Sequence, residues 1–232
     1  MKYSEDGVVQ FDPKYYTYIN LVTGKRLTSV TKFLKLFEDE FDSDFFSKKI
    51  AKKRGITQEE VLKEWKDKAD LSCTIGTGCH YIVENYILKG NILTPKNKKE
   101  EITVKYVNDF LVTKRVIPLQ TEYIVYNDYL AGQIDFLGKT ENETVFMKDF
   151  KTNEKIETYS YNKYMKHEFA RFPDSNFYKY SLQLSIYEKM LNFAIEGKFI
   201  VHIKEDGYLF YKCENMLEGI DFNELCVKYL SK

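Results

Sequence analysis

Arginine is scarce in this 232-residue chain. Only Arg26, Arg54, Arg115 and Arg171 stand among 35 basic residues, so the positive charge is carried almost entirely by lysine. Arginine is the usual bidentate reader of guanine edges, and its scarcity weighs against sequence-specific DNA reading. An AT-rich genome, which favours Lys, Asn, Ile, Tyr and Phe, is the plainer cause. Cysteine is also sparse: Cys73, Cys79, Cys213 and Cys226 form no CxxC pair. Their spacing matches neither zinc nor iron–sulfur ligation, which leaves small buried hydrophobes as the expectation. No apolar run approaches the roughly 20 residues needed to span a bilayer. The opening MKYSEDGVVQF offers no apolar stretch fit for a secretory signal. A soluble intracellular protein is therefore expected, with no membrane partner. An excess of either charge is missing too, since 35 acidic residues cancel the 35 basic ones. That balance argues against a tail that coats nucleic acid and leaves room for a local basic groove. No internal repeat, low-complexity tract or Pro/Gly/Ser linker divides the chain.

What is present is apolar and aromatic. At 44% hydrophobic and 16% aromatic residues the chain can build one ample core, at most with a modest helical appendage. The first half reads as helical. In "TSVTKFLKLFEDE", Val30, Phe33, Leu34 and Phe37 fall at i, i+3, i+4, i+7 behind a Thr28/Ser29 cap. "DSDFFSKKIAKKRG" predicts a basic helix stopped by Gly55. "TQEEVLKEW" opens with a Thr57–Glu60 capping box and carries Val61 and Trp65 inward. "GCHYIVENYILKG" predicts a separate helix ending near Gly90, and "NKKEEITVKYVNDFLVTKR" another. The expectation is a helical N-terminal region over residues 1–72, packed on a core over residues 73–232.

The period then changes from helical to alternating. "LQTEYIVYN", "YLAGQIDFLGK" and "TVFMKDFKT" predict three consecutive strands, with turns at Asn127–Asp128 and Thr140–Glu143. Residues 152–177 are too long and aromatic for an idle turn. "FYKYSLQLSIYEKMLNFAIEG" predicts a helix ending at Gly197, "FIVHIKEDGYLFYKC" a hairpin turning at Asp206–Gly207, and the last residues a helix over about 219–231. The fold class expected is α/β, a mixed central sheet flanked by helices.

The chemistry concentrates around "DFK". Alternation projects Asp149 and Lys151 to one face and Phe150 to the other. One strand earlier, "AGQID" delivers Asp135 beside the small residues Ala131 and Gly132. Paired strands would bring the two carboxylates close, where they repel by about 4 kcal/mol at 4 Å unless a cation intervenes. Mg²⁺ or Mn²⁺ suits such oxygen ligands, and an adjacent lysine can neutralise charge developing on a phosphate. His80 and Glu84 are spaced i, i+4 on one helix face, Gly76 one turn before them. His80 is a candidate third ligand, and Glu84 a candidate to complete the shell or hold His80. Gln183 and Tyr187 repeat the i, i+4 spacing on an otherwise apolar helix.

The ordered pattern G-x-x-x-H-x-x-x-E, E…G-x-x-D, D-x-K-T and Q-x-x-x-Y, from Gly76 to Tyr187, resembles the PD-(D/E)XK nuclease superfamily. Within it the likeness is to the RecB-like exonuclease branch of phage exonucleases and the mitochondrial genome maintenance exonuclease. The resemblance implies a restriction-endonuclease-like core, with Asp135 and Asp149 as acidic metal ligands, His80 as the branch's additional ligand and Lys151 as the catalytic lysine. It implies accessory roles for Glu84, Glu122, Thr152, Gln183 and Tyr187, the last four toward substrate. One or two Mg²⁺ or Mn²⁺ ions are expected, and no iron–sulfur cluster. The activity implied is metal-dependent hydrolysis of DNA from a free end, in replication, recombination or repair, in the cytoplasm of a bacterial or phage-infected cell. No phosphate loop of helicases is present, so a helicase, single-strand-binding or recombination partner would be a separate chain. A structure-specific endonuclease, or a silent nuclease fold that only binds DNA or a partner, are the alternatives.

Overall fold

A computed structural model describes residues 1–231. The chain opens with four short strands, β1 (Lys2–Tyr3), β2 (Val9–Asp12), β3 (Thr17–Asn20) and β4 (Arg26–Ser29), paired in antiparallel succession. This corrects the expected helical N-terminal region. Val9, Phe11, Tyr18 and Leu27 are buried together, and alternation along strands this short, not a helical face, is what buries them.

Ser29 then caps α1 (Val30–Leu34), accepting from the Lys32 amide. The basic helix α2 (Ser43–Arg54) ends at Gly55 in the left-handed region, as expected. Next comes α3 (Gln58–Lys89), one helix of 32 residues that opens with the Thr57–Glu60 capping box. Two helices were expected here, and the 72/73 division falls inside this one. Its interior glycines serve close packing and do not break it. A Cβ at Gly78 would lie 2.3 Å from the Glu100 carboxylate, and one at Gly76 would lie 3.3 Å from Thr152 Oγ1. Glu100 belongs to α4 (Lys98–Tyr106), which runs on into a π-helical turn over Val107–Val112.

The three expected strands follow as β5 (Ile117–Tyr126), β6 (Leu130–Lys139) and β7 (Val145–Lys151). After them come α5 (Asn176–Met190), β8 (Gly197–Ile203), β9 (Tyr208–Lys212) and α6 (Phe222–Leu230). The helix expected to reach Gly197 stops at Met190. Gly197 instead opens β8, pairing with Phe146 in a parallel ladder, and a Cβ there would meet the Phe199 ring at 2.6 Å. All strands of the described residues join one mixed sheet, in the order β1-β2-β3-β4-β6-β7-β8-β9 with β5 also on β6.

One edge of β6 carries two neighbours. β4 runs parallel to its start, at Leu130 and Ala131, and β7 antiparallel to its end, from Phe136 to Lys139. Between these ladders lies a fork over residues 132–135. One core fills the α5 side of the sheet, with Phe33, Leu130, Ile134, Met147 and Leu184. A second lies under α3 and α4, with Ile82, Tyr106, Phe136, Phe150 and Val201. Each such buried side chain contributes about 1.5–3 kcal/mol by removal from water. The four cysteines are free; Cys79, Cys213 and Cys226 are buried, and Cys73 is exposed against expectation. No helix of the described residues is long and apolar enough to cross a membrane.

Candidate active site and metal centre

The fork is where side chains from both faces of the sheet meet. The β6–β7 register ends at Phe136↔Lys148, and one further step would set Asp135 opposite Asp149. The ladder does not continue there. The Phe150 amide donates to the Asp135 side chain, Oδ2, at 2.8 Å. The two aspartates therefore sit where the strands open, beyond the end of the ladder whose pairing was expected to bring them together.

From α3, His80 reaches the same point, its Nε2 donating to the Phe150 carbonyl at 2.9 Å. That bond fixes the ring and turns Nδ1 toward Asp135 Oδ2, 3.6 Å away, and Glu122 Oε1, 4.0 Å away. Glu122 arrives from β5. The register Thr121↔Phe136 and Tyr123↔Ile134 places it across from Asp135, and its φ of 51° is a conformation that non-glycine residues rarely hold. One ligand atom from each of His80, Glu122 and Asp135 lies within 4.8 Å of the other two. An imidazole nitrogen with two carboxylate oxygens is a donor set that fits Mn²⁺ or Mg²⁺.

Here the geometry differs from the expected ligand set. Glu122, expected among substrate contacts, stands in the cluster. Asp149 stands beside it, because the Lys151 ammonium lies 2.6 Å from its Oδ2. This close ion pair engages the buried Oδ2 directly. Asp149 Oδ1 takes a long bond, 3.4 Å, from the Gln183 amide, which also donates to Tyr187 Oη at 3.0 Å. Tyr187 in turn fills the space beside Gly132, where a Cβ would lie 2.4 Å from its ring. The small residues of "AGQID" make room for that ring.

Glu84 and Thr152 are not brought to the cluster. Glu84 pairs with Lys2 at 3.0 Å instead of holding His80, and Lys2 also reaches Glu122 at 3.4 Å. Thr152 lies beside Gly76, and its carbonyl accepts from Lys99. Both departures come from partners remote in sequence.

Several residues escaped the sequence reading. Tyr16, Tyr18, Ser29 and Thr31, from the β2–β3 turn, the unforeseen N-terminal strands and the start of α1, wall a cleft of about 170 Å³ over the cluster. Gln133 also lines it, with a buried side-chain Nε2 that has no partner. Tyr180 sets its ring 4.7 Å from Lys151 Nζ. It stands one turn before Gln183 on the same helix face, a spacing visible in the sequence, whereas nothing there marks Lys2.

Electrostatics follow from this crowding. Burial raises the Asp135 pKa above the ordinary carboxylate range; His80 opposes the shift and Asp149 adds to it. Burial lowers His80, but Asp135 and Glu122 outweigh it and push the imidazole up to about 9. Burial likewise disfavours the Lys151 ammonium, yet Asp149 and Asp135 hold it above the ordinary lysine value. Glu122 would be raised by burial but is held low by His80 and Lys2.

No protein-family model matches the chain, and no curated protein matches it.

Proposed function

We propose that this protein is a divalent-metal-dependent deoxyribonuclease of the PD-(D/E)XK type and its RecB-like branch, degrading DNA from a free end. One observation carries the proposal. His80, Glu122 and Asp135 converge within 4.8 Å beside the Asp149–Lys151 pair, at a fork in the sheet with room above it. His80, Glu122 and Asp135 would hold the ion, with the Asp149–Lys151 pair beside it. When bound, the ion supplies Lewis acidity toward a phosphate oxygen and toward water. Lys151, an ammonium here, stabilises negative charge gathering on the phosphate and is too basic to take a proton at neutral pH. Gln183 orients Asp149 and Tyr187, and Gln133 offers its unpartnered amide to a phosphate oxygen.

The surface supports a DNA path. Lys49, Lys52 and Lys53 on α2 are exposed, without acidic partners among the described residues, and can follow a phosphate backbone. Beside them Phe41 stacks on Phe46 at 5.1 Å and contacts Trp65, which is half-buried and not turned inward as expected. Tyr159, Tyr161 and Tyr164 stand exposed in the connection before α5. Such rings can stack on unpaired bases. The α4 lysines serve less well, since Lys98, Lys99 and Lys105 already hold intramolecular acceptors.

The test is degradation of end-labelled linear DNA and of closed circular single-stranded DNA, each with Mg²⁺, Mn²⁺ or EDTA. Metal-dependent loss of the linear substrate alone is expected. Cutting of circles would make the enzyme an endonuclease. Absence of cleavage with binding intact would leave a DNA-binding fold without catalysis.

A further inference from the structure

The opposite face of β7 holds a second constellation that the nuclease chemistry does not use. Lys148, one residue before Asp149, points away from the fork and is buried. Its ammonium donates to Tyr106 Oη at 3.0 Å. It also lies 4.9–5.6 Å from the ring centroids of Tyr106, Phe110, Phe136, Phe146 and Phe210. No carboxylate among the described residues pairs with it. Three N–H groups with one oxygen acceptor leave a buried cation short of partners. Aromatic faces compensate by only about 0.5–2 kcal/mol for a cation so placed.

This cation borders a cavity. About 340 Å³ of open space lies against Lys148, walled by Phe110, Phe146, Phe199 and Phe210. Pockets that bind small ligands start near this size, with apolar walls and few polar groups. Glu196, exposed, also lines the cavity, and Lys148 is the one cationic side chain lining it, so the site balances a single negative charge.

We propose that this cavity is a second binding site, separate from the fork, for a small apolar monocarboxylate. The ligand's carboxylate would pair with the Lys148 ammonium, and its apolar body would lie against Phe146, Phe199 and Phe210.

Calorimetric titration of the full chain at pH 7 tests this, with phenylacetate, its uncharged analogue phenylacetamide and the dicarboxylate 1,4-phenylenediacetate. Phenylacetate is expected to bind at least tenfold tighter than either. Lys148→Met, an unbranched apolar side chain one atom shorter, is expected to erase the preference for acid over amide. Should that variant fail to fold, the wild-type chain labelled at lysine ¹³Cε supplies the readout. The Lys148 resonance, displaced by its five surrounding rings, is expected to move with phenylacetate and not with the amide. Equal binding of acid and amide, a preference for the dicarboxylate, undiminished acid binding by Lys148→Met, or an unmoved resonance would overturn the proposal.

Discussion

At the scale of single residues, His80 ties stability and metal binding to pH in opposite directions. Folding raises its pKa from 6.5 to about 9, chiefly because Asp135 and Glu122 outweigh burial. A group raised in this way stabilises the fold fully below pH 6.5 and loses that contribution as pH climbs through about 9. Denaturant unfolding in EDTA should therefore show stability falling across this window, with the slope flattened in His80→Asn. Metal must displace the same proton, so Mn²⁺ affinity should rise over that range; a pH-independent affinity would exclude His80 as a ligand. Lys2 acts on one of these carboxylates, Glu122, and on Glu84. It is partly exposed, and such pairs contribute about 0.2–1 kcal/mol. Lys2→Met should free Glu122 and tighten Mn²⁺ binding by about two- to fivefold, read by calorimetry. These roles were only partly legible in the sequence. The aspartates and Lys151 follow from strand alternation. Lys2 meets Glu84 and Glu122 across 82 and 120 positions, and no local pattern encodes that.

At the scale of elements, the site depends on how closely α5 can approach β6. Tyr187 occupies the volume that a side chain at position 132 would need. Gly132→Ala should displace the ring, lower stability by about 1–3 kcal/mol as overpacking does, and loosen Gln183 from Asp149. Thermal unfolding and cleavage rate should fall together, while a rate unchanged by this variant would remove Tyr187 and Gln183 from the mechanism. The strands β5–β7 and the basic helix α2 were legible because each carries its period over seven or more residues. The N-terminal strands, two to four residues each, are too short to display one. The long α3 was read as two helices, the second opening at Gly78, a residue of low helix propensity; in the fold Gly76 and Gly78 lie inside one helix as contacts with Thr152 and Glu100.

At the scale of the molecule, the fork gathers residues from β5, β6, β7, α3 and α5, and the N-terminal meander roofs it. Charge balance over the whole chain hides the exposed lysines of α2. Replacing Lys49, Lys52 and Lys53 together by Ala should weaken single-stranded DNA binding and reduce its log–log salt slope by about 2, at roughly 0.7 per phosphate contact. Fluorescence anisotropy over a salt series measures this, and an unchanged slope would move the DNA path elsewhere. The most direct measurement of the central claim is the single-turnover cleavage rate of linear DNA in Mn²⁺, for wild type and Lys151→Ala at matched saturation. The wild type should cleave, and loss of the ammonium should slow the step by a factor of about 100–1,000 with DNA affinity retained. Equal rates for the two proteins would contradict the assignment of Lys151 and, with it, of the fork as the site of hydrolysis.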